Sequence, residues 1–206
     1  MCGRYTQTKN EAMLRKRFRF DPPDFDVVPR FNIAPTQEAP VLVGRTLKLL
    51  RWGFEGGLFN ARAETVAVKP TFRDAFRRGR CLVPADGFYE WRKEGSRRVP
   101  LRFVLTGREP FAFAGLHEGG AFTILTTAPN PLVATVHDRM PVILREELEE
   151  AWLDPSADVR EALLPFPAER MEAYVVSAAV GSPRNDDPSL IEPAAPPPPP
   201  AQLSLF

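Results

Sequence analysis

The sequence predicts an α+β domain with a mainly antiparallel, barrel-like β core and a few short helices. Six β-rich runs, at 80–84, 87–93, 98–106, 110–117, 121–127 and 140–144, are separated by Gly, Pro or charged turns. Their spacing of about 8–12 residues is that of an all-β core or barrel. Helical periodicity, in contrast, is confined to short stretches. Hydrophobic residues make up 44% and charged residues 26% of the 206 positions, enough for one sizeable packed domain and too balanced for a disordered or fibrous chain.

The elements follow in order. Thr8-Lys9-Asn10-Glu11 reads as a capping box, with Thr8 as N-cap and Glu11 reaching back, and Met13, Leu14 and Phe18 continue at helical spacing to about Arg19. Val41-Leu42-Val43 and Leu47 to Leu50 flank Gly44-Arg45 as a hairpin that runs into Arg51-Trp52-Gly53-Phe54. Phe72, Ala75 and Phe76 follow Thr71 on one helical face, with Gly79 just past the end. After the crowded strands come two acidic helices, at about 145–153 and 156–164, and a last strand at about 171–178. From Gly181 onward the composition turns loop-like, and Pro196 to Pro200 is an unbroken proline run that cannot form a packed core. The expected organisation is one domain over 1–180 and a Pro-rich, disordered tail over 181–206.

Composition narrows the function. No apolar run approaches the ~18 residues of a membrane span, and Met1 to Thr6 hold no apolar leader, so a soluble cytoplasmic protein is expected. The only cysteines are Cys2 and Cys81 and the only histidines His117 and His137. A zinc cluster would need all of them, and a disulfide scaffold is excluded, which points to chemistry without metal or cofactor. The formal net charge of +1 hides an uneven distribution: Arg62 to Arg102 carries eleven Lys/Arg against five Asp/Glu, while Arg145 to Glu192 carries four against twelve. A basic middle suits a polyanion.

Cys2 is the sharpest chemical feature. Its small side chain favours removal of Met1, which would leave an α-amine (reference pKa ~7.7–8.0) beside a thiol (~8.5). The amine of such a 1,2-aminothiol condenses with an aldehyde to an imine, and the thiol then closes a thiazolidine. The same residue could instead be an amidohydrolase nucleophile with its own amine as base. Cys81 reads as a buried small hydrophobe.

Seven ordered motifs separate these readings. Met1-Cys2-Gly3-Arg4-Tyr5, Asn32-Ile33-Ala34-Pro35-Thr36, Arg51-Trp52-Gly53, Phe59-Asn60-Ala61-Arg62-Ala63-Glu64-Thr65, the run from Arg80 to Trp91, Phe113-Ala114-Gly115-Leu116 and His137-Asp138-Arg139-Met140-Pro141 together resemble the SOS response-associated peptidase family across roughly residues 2–180. That resemblance implies crosslinking to abasic sites in single-stranded DNA. It implies an active site of Cys2, Asn60, Glu90 and His137, and lyase-type and peptidase activities beside the crosslink. Glutamine amidotransferases also begin Met-Cys-Gly, but their later substrate-binding signatures are absent.

Each residue type suits its implied place. An abasic deoxyribose is mostly a closed hemiacetal, and His137 can move the proton that exposes its aldehyde. Strand alternation sets Glu90 on the face of Phe88, opposite Tyr89 and Trp91, apolar company that should raise its pKa for proton shuttling. Asn60 can orient the amine and sugar without titrating. Arg4, Arg62 and Arg139 lie within two residues of these positions, and their guanidinium forks suit phosphates. Trp52 is expected to be a stacking platform. Here the chain departs from the family, since Phe54-Glu55-Gly56-Gly57-Leu58-Phe59 replaces the usual Pro and second Trp, leaving Phe54 or Phe59 to supply a wedge.

Gln202-Leu203-Ser204-Leu205-Phe206 resembles the peptide by which bacterial repair proteins bind the DNA sliding clamp. Leu203, Leu205 and Phe206 are apolar residues at the tip of a polar tail, with Gln202 setting register. The expected partners are therefore single-stranded DNA carrying abasic sites and the sliding clamp at the replication fork. A monomer is expected, with no membrane partner. The alternatives are the N-terminal-cysteine amidohydrolase and a non-catalytic, clamp-recruited DNA-binding module.

Overall fold

In the computed structural model, residues 2–194 are described. Their strands are β1 (Tyr5–Gln7), β2 (Arg30–Ile33), β3 (Glu38–Val43), β4 (Thr46–Trp52), β5 (Asn60–Arg62), β6 (Arg80–Ala85), β7 (Gly87–Glu94), β8 (Arg97–Leu105), β9 (Phe111–Glu118), β10 (Ala121–Thr127), β11 (Met140–Pro141) and β12 (Met171–Val175). The α-helices are short: α1 (Glu11–Phe18), α2 (Pro70–Arg78), α3 (Pro131–Ala134) and α4 (Glu149–Leu153). No helix among the described residues is long and apolar enough to cross a membrane.

The strands make an α+β, barrel-like fold. β10, β4, β3, β6 and β9 pair in that order and close when β9 meets β10, while β5 and β11 extend β10. Closure gives each of those five strands a partner on both sides. A second sheet, in the order β12-β8-β7-β1-β2, packs on the barrel. β6 is buried at every position because its alternate residues point to opposite faces and both faces are covered. Cys81, Val83 and Ala85 join Phe111, Phe113, Phe122 and Ile124 in the core shared with Phe88, Leu101 and Phe103 of the second sheet. Leu82, Ala112, Ala114 and Leu116 point the other way, onto Leu14, Phe72, Ala75 and Trp152 of the helices. Gly115 of β9 is required by this packing, because a Cβ there would lie 2.7 Å from Val83 and 2.9 Å from the Cys81 sulfur. Cys81 is buried core, as its sequence suggests.

Several elements differ from the sequence expectation. Asn10, not Thr8, caps α1, its side chain accepting from Met13 N–H at 3.0 Å. Thr8 is drawn away by Asp86, whose carboxylate accepts from both its hydroxyl and its backbone N–H. The run 140–144 keeps only a two-residue strand, because it crosses from β10 to β9: Val142 N–H donates to Leu125 and Leu144 N–H to Ala112, each at 2.9 Å. No helix spans 156–164. Asp154 and Asp158 bond the N–H groups of Ser156 and Arg160, local turns that compete with helix, and only a 3-10 turn at Glu161–Leu163 survives.

The boundary at 180 also moves. Residues 181–194 form a strap rather than a tail. Asp186 accepts from Arg30 and from the N–H groups of Phe31 and Asn32, Leu190 is buried against Tyr89 and Val180, and Ala194 N–H donates to Val175 at 2.8 Å. Asn and Asp side chains bonding backbone do what the loop-like composition conceals. The proline run and Gln202, Leu203, Leu205 and Phe206 lie outside the described residues.

Candidate active site

Neighbouring strands bring Cys2 to Glu90. β1 pairs antiparallel with β7, Tyr5 opposite Phe88, and Tyr89 N–H donates to Arg4 C=O at 3.0 Å. Cys2, three residues before Tyr5, lies close enough to Glu90 for that carboxylate to act on its thiol. Cys2 is fully buried. Burial pushes its thiol pKa up, and the negative charge of Glu90 pushes it further. Glu90 is itself only 4% exposed, and burial raises its carboxyl to about 7, with the charge of Asp138 adding to the effect.

Asn60 opens the three-residue β5, held in register by its pairing with Ile124 of β10. Its Nδ2 donates to Phe59 C=O at 3.0 Å and to Ile124 C=O at 3.4 Å, which fixes the amide plane. Asn60 Oδ1 is buried and has no hydrogen-bond donor among the described residues. A buried side-chain acceptor without a donor is an exception among polar groups inside a fold.

His137 follows α3, whose N-cap Asn130 accepts from Val133 N–H at 2.9 Å. Val133 joins the core cluster that contains Cys2, and Val136 and Phe59 pack against the same cluster. Residues flanking Asn60 and His137 therefore meet the core that holds Cys2 and Phe88. Burial lowers the His137 pKa below the ordinary imidazole value. The backbone N–H of Arg139 donates to His137 Nδ1 at 3.0 Å, a contact that favours the neutral ring with its proton on Nε2.

The sequence matches the profile of the SOS response associated peptidase (SRAP) family over residues 1–183. The chain belongs to this family. It is 39% identical to the abasic site processing protein YoqW of Bacillus subtilis (strain 168), over 93% of this chain and 99% of that one. It is 37% identical to the abasic site processing protein YoaM of the same organism, over 93% and 98%. A crystal structure of a protein from Bacteroides thetaiotaomicron superposes with a TM-score of 0.85 at 26% identity, covering 94% of this chain and all of that one.

The cationic and aromatic residues around this SRAP site depart from the sequence expectation. Trp52 offers no face for stacking, because it is completely buried. Its ring stacks on Phe122 at 6.1 Å and meets Tyr5 edge-on at 5.2 Å, and its Nε1 donates to Phe59 C=O at 2.9 Å. Phe54 is buried as well, whereas Phe59 is half-exposed. Arg4 is occupied inside the fold, donating to Asn32 Oδ1 at 2.9 Å and to the carbonyls of Val180 and Gly181 at 2.7 and 3.0 Å. Its guanidinium ties the N-terminal strand to the strap and is not an open phosphate fork. Arg139 likewise has both fork nitrogens on Glu64, at 2.6 and 2.8 Å, with Nη2 shared with Thr126 C=O at 2.6 Å. Arg62, opposite Thr126 on β5, is exposed. Sequence reasoning missed Glu64 and Asp186. Glu64 stands inside a family motif and opposite in charge to Arg139, a signal that pairing of the two motifs would have exposed.

Proposed function

We propose that the mature chain captures abasic sites in single-stranded DNA through Cys2 and becomes covalently linked to them. The observation that carries this reading is a buried N-terminal cysteine beside a carboxyl whose pKa lies at about 7. After Met1 is removed, the Cys2 amine attacks C1 of the ring-opened sugar. The carbinolamine loses water to an imine, the Cys2 sulfur adds to the imine carbon, and the thiol proton passes to nitrogen, closing a thiazolidine. Water is the only product released.

Each residue has a task in that sequence. Glu90, near half-ionised at neutral pH, takes the ammonium proton and returns one to the departing hydroxyl. His137 moves the proton that opens the hemiacetal. Asn60 Oδ1 accepts from the amine or from a sugar hydroxyl. Arg62 supplies a backbone contact without sequence preference. The raised thiol pKa supports the aldehyde reading over the amidohydrolase, since a neutral thiol can wait for the amine to form the imine, whereas acyl transfer begins with thiolate attack. The imine can also partition to β-elimination, which gives a weak lyase activity, and removal of Met1 is an autopeptidase step. Gln202, Leu203, Leu205 and Phe206 recruit the protein to the sliding clamp.

The test is a denaturing gel of protein mixed with an oligonucleotide carrying one abasic site, without borohydride. A shifted band for the wild type and none for Cys2→Ala is expected. No band from a correctly processed wild-type N-terminus would refute the reading. Deleting residues 202–206 should abolish binding to a purified bacterial clamp and leave the crosslink unchanged.

A further inference from the structure

Glu64 has no part in the chemistry above, yet it is joined to the site by an unbroken set of contacts. Its two carboxylate oxygens take both fork nitrogens of Arg139, at 2.6 and 2.8 Å. Arg139 Nη2 also reaches Thr126 C=O at 2.6 Å and its hydroxyl at 3.3 Å, and the Arg139 side chain is only 14% exposed. A guanidinium held by a bidentate carboxylate and by a strand carbonyl has no rotational freedom left. The guanidinium ties the Arg139 side chain to β10 beside the point where Met140 pairs with Thr127, and the Arg139 N–H is the donor to His137 Nδ1. A competing partner stands on the same nitrogen: Asp138 Oδ1 is 2.9 Å from Nδ1 and accepts from it only when Nδ1 carries a proton. Arg139 N–H and Asp138 therefore favour opposite states of one nitrogen.

We infer that Glu64 is a positioning residue which, by clamping Arg139, holds His137 in the Nε2–H tautomer. With Arg139 released, Asp138 takes Nδ1 and the ring presents an unprotonated Nε2 or becomes imidazolium. The consequence for catalysis rests on the proposed role of His137, but the tautomer itself does not.

The chain has only two histidines, so ¹⁵N-histidine labelling of the full-length protein gives a readable spectrum without DNA. In the wild type at pH 8, His137 should show a protonated Nε2 and an unprotonated Nδ1. Glu64→Gln should shift His137 toward Nδ1–H or imidazolium, Glu64→Asp should restore part of the wild-type pattern, and His117 should not move. With saturating abasic DNA, the crosslinking rate constant of Glu64→Gln should fall about tenfold, while non-covalent affinity does not weaken. An unchanged His137 tautomer in a folded Glu64→Gln protein would overturn the inference. Loss of crosslinking in the wild type, with the tautomer pattern as expected, would overturn the proposed function and leave the positioning role standing.

Discussion

Replacing Glu90 with Gln should make the protein more stable at high pH, which is an unusual expectation for a residue assigned to an active site. Burial holds the Glu90 carboxyl at about 7 rather than the ordinary 4.5. A group whose folded pKa is raised contributes stability that is fully present below its unfolded value and is lost as pH rises through the folded one. Linkage at ~1.4 kcal/mol per tenfold gives a loss of roughly 3 kcal/mol by pH 8 and about 1.4 kcal/mol by pH 5.5. The neutral isostere has no such loss. The stability gap in favour of Glu90→Gln should therefore widen by about 2 kcal/mol between pH 5.5 and 8, or roughly 4–8 °C in Tm for a chain of this size. Urea denaturation of both proteins at four pH values, with the N-termini matched by mass, measures it directly. The histidines titrate in both proteins and cancel in the difference. A gap that stays constant with pH, or narrows toward pH 8, would refute the placement of Glu90 in a desolvated site.

Three further outcomes follow from the fold. Asp86→Ala strands the Arg102 guanidinium, buried 3.2 Å from the lost carboxylate, and should cost about 3–5 kcal/mol in urea denaturation. Trp52→Ala should cost a similar ~3–5 kcal/mol, and the folded fraction should keep its affinity for undamaged single-stranded DNA, because the ring is core and not a platform. Asp186→Ala removes the acceptor of Arg30, Phe31 and Asn32 and should lower stability by ~2 kcal/mol, while slowing crosslinking at saturating DNA through loosening of β1. An Asp186→Ala protein that crosslinks at the wild-type rate would show that the strap acts on stability alone.

The β core was legible in the sequence because its signal is local. Gly, Pro and charged turns bracket each run, and β10 begins and ends at the expected residues, Ala121 and Thr127. What was illegible depends on distant partners. β1, β2 and β5 are three or four residues long and exist because a neighbouring strand completes their hydrogen bonds, which no periodicity reports. The capping box at Thr8 had the right residue types, but Asp86, far along the chain, bids for Thr8 more strongly. The strap reads as a tail because its anchors are Asn and Asp side chains bonding backbone. Around the site, alternation correctly put Glu90 on the Phe88 face, against the core. The cations were misread for one reason: proximity in sequence to a functional residue does not reveal whether a guanidinium is already engaged, and Arg4 and Arg139 are.

Those engaged cations matter for the proposed role of Cys2, which stands near a chain end. Terminal residues ordinarily fray, and the entropy of an ordered backbone residue, ~1–2 kcal/mol each, would have to be lost when substrate arrives. Here the loss is met on folding. β1 is only three residues long, but it lies between β7 and β2, and Arg4 fastens the segment before it to Val180 and Gly181. The Val180 carbonyl is shared with Asn32, whose Nδ2 also donates to Ser182 and Asn185 C=O and whose backbone N–H donates to Asp186. The strap from the far end of the domain thus holds the residue two places after Cys2. An open phosphate fork at Arg4 would have given affinity for DNA at the expense of this anchorage. Arg4 is engaged in holding the segment that carries Cys2, whereas Arg62 is exposed on β5.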